Sequence, residues 1–233
     1  MRRKLYLRIA GVLLILSMLG VQLVHAKPLT RSGYWQRFDV DITVNEDGTF
    51  WVEETQVLAF SGGTFTFVSR NINMSQISRI TDVQVFDEAG NAFQASSSED
   101  PGTFETYREE GDFYIRWYFP PTEGRVAFKV RYRVHGALRY YDDGDQLWWK
   151  AIPSGLSARV ENATVTVNLP DGAVGEPVEV YFTEAQITGE GTSTVTFEAL
   201  ETIAEGQEME VRVQFEHGIV AGSAPAWQRA DDL

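Results

Sequence analysis

The chain predicts an all-β fold, an antiparallel β-sandwich of immunoglobulin-like or jelly-roll-like type. Three observations point there. Apolar and polar residues alternate almost from end to end, and Gly- and Asp-rich turn signals recur at short intervals. Beyond the N-terminal run, no segment sustains a 3.6-residue apolar stripe over ten positions. Alternation gives each strand one apolar face, which a second layer must cover.

The runs follow in order. Phe38–Val44 and Phe50–Phe60 flank Asn45-Glu46-Asp47-Gly48, a hairpin turn with Gly48 in the left-handed conformation. Between Trp51 and Ala59 the apolar phase slips across Glu53-Glu54, which predicts a β-bulge. Glu88–Asn91 reads as a turn, and Gln94–Gly111, rich in Ser, Glu and Asp, as a mobile loop around a short strand. Phe113, Ile115, Trp117 and Phe119 form the apolar face of the next run. After a turn at Pro121–Gly124, Val126, Phe128, Val130, Tyr132 and Val134 lie opposite Lys129, Arg131 and Arg133. Thr164–Leu169, Val178–Phe182, Thr194–Phe197 and Met209–Phe215 complete the set. Alternation breaks at Tyr140–Ser157, so two sandwich lobes, 33–140 and 145–217, compete with one continuous sandwich. The segment 221–233 has no periodicity and reads as a flexible tail.

The N-terminus carries an export grammar. Arg2, Arg3, Lys4 and Arg8 precede an apolar run from Ile9 to Val24, and Val24-His25-Ala26 supplies the small-residue stop. A signal helix over 1–26, cleaved after Ala26, is expected. The alternative is an uncleaved anchor, but the run is interrupted by Gly11, Ser17, Gly20 and Gln22, and a spanning helix wants about 20 mainly apolar residues. The working domain, 27–220, then lies outside the cytoplasmic membrane.

Composition narrows the chemistry. Thirty-three acidic residues against 20 basic give a net charge of −13, which removal of the basic leader deepens. Such a surface repels phosphate backbones, so no nucleic-acid partner is expected. The chain has no cysteine, which excludes disulfides, thiol nucleophiles and Cys-ligated metals. Beyond the leader only His135 and His217 remain, without a spaced ligand motif, so neither a metal nor a cofactor is expected.

Several motifs together resemble a bacterial family, the domain of unknown function numbered 2207. Val44-Asn-Glu-Asp-Gly-Thr-Phe-Trp-Val-Glu-Glu54 is similar to its opening strand pair, and Phe60-Ser-Gly-Gly-Thr-Phe65 with Arg70-Asn-Ile72 to the next. Ile115-Arg-Trp117, Phe128–Gly136, Asp145-Gln-Leu-Trp-Trp149 and Val165-Thr-Val-Asn-Leu-Pro170 fit its later segments. The resemblance covers about residues 33–220. It implies an export signal, a β-rich domain outside the membrane and transmembrane helices after it, with no established catalytic residues. No second apolar run precedes Leu233, so any membrane tether is expected through an uncleaved N-terminus or a further C-terminal segment.

The segment from Tyr140 to Trp149 is the candidate site. Tyr140, Tyr141 and either Trp148 or Trp149 would stack on a sugar face, with Asp142, Asp143 and Asp145 accepting its hydroxyl protons. The same aspartates could ligate Ca²⁺, although the loop lacks the order of a calcium-binding hand. The structural alternative is that one tryptophan fills the core while the aspartates solvate a turn. Glu53-Glu54 and Glu109-Glu110 suggest a glycosidase pair, but neighbours on a strand point to opposite faces. His135 and His217 read as hydrogen-bonded strand-end residues. The expectation is a non-enzymatic envelope module that contacts or scaffolds a protein. A carbohydrate-binding module is the alternative, and a hydrolase with an unrecognised site the remote one.

Overall fold

The computed structural model describes residues 30–231; the signal segment 1–26 lies outside them. Strands β1 (Ser32–Val44), β2 (Phe50–Asn73), β3 (Arg79–Asp87), β4 (Gln94–Ala95), β5 (Thr103–Glu109) and β6 (Asp112–His135) come first. They are followed by β7 (Asp145–Ile152), β8 (Ala163–Asn168), β9 (Val178–Tyr181), β10 (Ala185–Thr188), β11 (Thr194–Ala199), β12 (Met209–Phe215) and a short helix α1 (Ala226–Asp231). One sheet runs β10-β11-β8-β1-β2-β6-β5-β4, with β3 also on β6, and a second runs β7-β12-β9. The all-β expectation holds, with two parallel pairings, β1 with β8 and β4 with β5, among the antiparallel ones.

The central device is a ribbon. β2 and β6 are each 24 residues long and pair antiparallel along their whole length. Arg70 donates from Nε to Glu54 Oε1 at 2.7 Å, although the two stand 16 residues apart on the same strand. A straight strand would separate them by about 50 Å, so the ribbon must fold back on itself. The fold-back lies where the β2–β6 register shifts, between Phe60 and Phe67. Gly62 and Gly63 sit there at φ 73° and 143°, a conformation that side chains resist.

The sandwich follows. Phe50–Phe60 and Gly124–Val134, the inner half of the ribbon, join β1, β8, β11, β10 and β3 in one layer. The outer half, Phe65–Asn73 with Asp112–Thr122, carries β5 and returns over it, and Trp117 meets Phe128 edge-on at 5.8 Å. The β7-β12-β9 sheet covers the rest, with Trp149 edge-on to Phe50 at 5.2 Å. Burial of Trp117, Tyr132, Phe38, Phe197 and Phe215 is nearly complete, and the apolar faces read from alternation point inward except in Val178–Phe182, where Phe182 is 67% exposed.

Five expectations are corrected. The spans 33–140 and 145–217 are not separate lobes, because β1 pairs with β8 and all contribute to one apolar core. There is no bulge at Glu53-Glu54: β2 alternates without slip, and Glu54 and Gln56 occupy inward positions as buried polar residues. Pro121–Gly124 does not end a strand but lies within β6 at the fold-back. The span 94–111 holds a seven-residue strand, β5, on the edge of β6. The segment after Ala221 is docked as far as α1 rather than loose. Gln228, 1% exposed, donates to Tyr140 O and accepts from Tyr140 N, both at 2.9 Å, and Trp227 Nε1 donates to Gly136 O. An amide side chain that replaces a strand partner leaves no periodicity to read.

Candidate functional site

The second layer has a seam. The outer half of β2 and strand β7 meet there without pairing, Arg70 donating to Ala151 O, since among the described residues β2 beyond Phe65 pairs with β6 alone and β7 with β12. Beneath the seam runs a buried polar ladder. Glu54, fully buried, accepts from Arg70 Nε at 2.7 Å, from Tyr132 OH at 2.7 Å and from Gln56 Nε2 at 2.9 Å. Gln56 Oε1 in turn accepts from Trp35 Nε1 at 2.9 Å, and Arg70 also donates to Asn71 O and Ala151 O. Burial is the largest influence on Arg70 and would lower its pKa, but the Glu54 carboxylate and Tyr132 together outweigh it and hold the guanidinium above its usual range. Burial and the same carboxylate push the Tyr132 phenol well up. Every polar end of the ladder has a partner, so it fixes the fold-back and leaves no reactive group spare.

Above the ladder the seam opens into a groove of about 1260 Å³. Its wall includes five successive residues of β2, Phe65 to Ser69. Successive side chains on a strand point to opposite faces, so what such a run shows a single groove is the strand's edge. That edge carries no charge and no proline, and Phe67 is 49% exposed. Natural edges are usually blunted by charge, proline or a bulge, and of these the β2 edge has only the register shift between Phe65 and Phe67. The opposite wall comes from Gly155 to Arg159 and Thr202 to Glu205, and the β1 end brings Arg31, stacked on Phe65, and Tyr34, capped by Arg159.

The predicted segment is dispersed. Trp149 is in the core, 4% exposed. Trp148 points outward, stacked on Tyr181 at 5.4 Å with the Arg139 guanidinium 5.0 Å from its ring. Tyr140 is half-buried beneath the C-terminal segment and Tyr141 is half-buried, while Asp142 and Asp143 are exposed in the turn. Asp145 is fully buried and accepts from His217 Nδ1 at 2.8 Å and from Gly218 N at 3.3 Å. The two tryptophans thus face opposite sides of one sheet, and the three aspartates do not converge. Among the described residues no group of three His, Asp or Glu side chains is placed to hold a metal ion. Glu53 faces out to Lys129 at 2.7 Å while Glu54 faces in. His135 bonds Thr81 Oγ1 at 2.8 Å at its strand end.

Phe67, Arg70 and Gln56 are not marked as functional residues by the sequence, and Glu54 is marked only as half of a glycosidase pair and as the site of a bulge. Two signals were available: inward parity at Glu54 and Gln56, and the uncharged run Phe65–Ser69 on a strand. Neither reveals that the ribbon folds back.

Among solved structures, the chain is similar to native yeast LTA4 hydrolase at 12% identity and a TM-score of 0.48, over 79% of this chain and 29% of that one. It is likewise similar to an M1 zinc metallopeptidase from Deinococcus radiodurans at 12% identity and a TM-score of 0.41, over 77% and 42%. The chain spans less than half the length of either, and likeness at this level assigns no activity. No curated protein matches it. No helix among the described residues is long and apolar enough to cross a membrane. The family described as the N-terminal domain of a predicted membrane protein of unknown function, DUF2207, matches residues 35–215, from β1 to the end of β12. The chain belongs to that family.

Proposed function

We propose that this is a non-enzymatic, exported contact module of the cell envelope that binds an extended polypeptide along the bare edge of β2. The observation that supports it is the run Phe65–Ser69, an uncharged strand edge opening into a groove large enough for a peptide. Strand addition to such an edge uses main-chain hydrogen bonds for affinity and flanking pockets for selectivity. The export grammar of residues 1–26 favours a site outside the cytoplasmic membrane, and the family's description favours association with a membrane. Glu54 and Asp145, the two fully buried carboxylates, already serve Arg70 and His217, which favours a structural over a catalytic role. A glycan ligand has less support, because Trp149 is in the core and Tyr140, Tyr141 and Trp148 are each only half-buried and offer no fully exposed aromatic strip.

The test is binding of a random octapeptide pool to the immobilised protein and to Phe67→Asp, which places a charge on the edge. Retention on the wild type, weakened at least tenfold in the variant, supports strand addition. Equal retention on both proteins, or binding only to a glycan array, overturns it.

A further inference from the structure

A second surface lies outside the groove, at the open end of the β10–β11 hairpin. Two large apolar side chains stand in water there, Phe182 at 67% exposure and Leu200 at 60%. The backbone brings them near each other. Leu200 N donates to Glu184 O at 3.0 Å, two residues from Phe182, just where β10 and β11 begin to pair through Ala185 and Ala199. The apolar surface continues beyond Phe182. Its ring lies 6.4 Å from Tyr181, and Tyr181 stacks on Trp148 at 5.4 Å, so a row of rings runs from the outer face of the β7-β12-β9 sheet to the hairpin. Neither Phe182 nor Leu200 lines the groove.

Exposed apolar residues that occur singly need no explanation. Phe182 does, because its backbone sits at φ 67°. In that left-handed region Cβ crowds the neighbouring carbonyl, and a bulky side chain is disfavoured where glycine or asparagine is tolerated. Burial does not offset the strain, since most of the residue is in water. Its neighbours hold it in place: Thr183 Oγ1 donates to Glu208 O at 2.8 Å, and Glu184 O is taken by Leu200 N. A strained ring that faces solvent serves contact rather than folding. The charge around the pair says what it meets. Glu184, Glu198 and Glu201 flank it, exposed and outside every ion pair of the described residues. Glu179, nearer Trp148, is instead taken by Arg212 at 3.0 Å. Unpaired carboxylates repel anionic headgroups and steer a cationic partner.

We infer that Phe182 and Leu200 anchor a docking surface for a protein segment that carries both apolar and basic side chains. The two anchors meet the partner's apolar side chains, while Glu184, Glu198 and Glu201 draw in its lysines or arginines. This surface is independent of strand addition at β2. The test is binding of an amphipathic lysine–leucine peptide to the protein, with lysine–serine and glutamate–leucine peptides of the same pattern beside it. The lysine–leucine peptide should bind at least tenfold more tightly than either, and less tightly as salt rises. Phe182→Gly should cut that binding at least tenfold without lowering the melting temperature, because glycine relieves the backbone. Leu200→Ser, at an exposed position, should weaken binding at least threefold and serves as the second variant. Retention of the octapeptide pool should be the same in both variants, so failure here leaves strand addition standing. Equal binding of the lysine–leucine peptide to wild type and both variants overturns the proposal. So does a Phe182→Gly protein that melts at a lower temperature, since the ring would then serve folding. Phe182-dependent sedimentation with phosphatidylcholine vesicles, without preference for the lysine–leucine peptide, means a lipid contact and also overturns it.

Discussion

The two halves of the β2–β6 ribbon share strands and alternation but differ in what flanks them. In the inner half both outer edges are paired, β2 by β1 and β6 by β3, and the face between the layers carries the Glu54 ladder. In the outer half β6 is paired by β5, but among the described residues β2 from Phe65 to Asn73 has no second strand partner. A strand paired on both sides has spent its main-chain groups on stability. A strand paired on one side keeps a row of donors and acceptors for another chain. The contrast with β3 is similar: that exposed edge is broken at Asp82, which sits at φ 54° within a register shift. β2 shifts register too, between Phe65 and Phe67, but runs uncharged through Ser69.

The largest effects should come from the inner half. Glu54→Ala leaves the Arg70 charge buried without its partner and should cost about 3–5 kcal/mol in chemical denaturation. Replacing both together, Glu54→Leu with Arg70→Met, should recover most of that loss, because the penalty belongs to the unpaired charge. Trp117→Ala removes a fully buried ring that joins the two halves and should cost about 3–5 kcal/mol. If either single variant loses less than about 1 kcal/mol, the fold-back is not held as described. An intermediate effect is expected at the docked C-terminal segment. Gln228→Ala strands both Tyr140 main-chain groups and should cost about 1–3 kcal/mol.

A smaller effect concerns the strand ends. The bond to Asp145, then that carboxylate's charge, raises the His217 pKa above its ordinary 6.5, while burial lowers that of His135. Proton NMR titration should therefore find His217 above and His135 below that value, and Asp145→Asn should bring His217 down. Because the folded-state value is raised, the stabilisation from the His217–Asp145 pair is complete below the unfolded value. It is lost as pH rises through the folded one. A His217 midpoint below 6.5 would mean the pair is not formed in solution. Smallest of all should be the stability change of Phe67→Asp, within about 0.5 kcal/mol, because its ring is half-exposed on an edge.

The fold class was legible because alternation reports which residues face inward, and of the faces from Phe38 to Phe215 only Val178–Phe182, ending in the exposed Phe182, departs from the reading. The fold-back was not legible. Pro121–Gly124 looks like a turn between strands whether the chain reverses or merely bends, and only the Arg70–Glu54 contact distinguishes the two. The polar parity of Glu54 and Gln56 was visible but suggested a slipped register, since a buried carboxylate has no signature until its guanidinium arrives from 16 residues away. Tyr140–Trp149 drew attention by composition alone. Composition does not say which side of a sheet a ring faces, and Trp148 and Trp149 face opposite sides. The groove was invisible because an edge is defined by the strand that is missing beside it.

The most direct test is amide hydrogen exchange across β2, in the free protein and with the octapeptide pool bound. Strand addition predicts that amides between Thr66 and Asn71 slow on binding while those of Phe50–Phe60 are unchanged. No slowing at Thr66–Asn71, or protection confined to Asp142–Trp149, would contradict it.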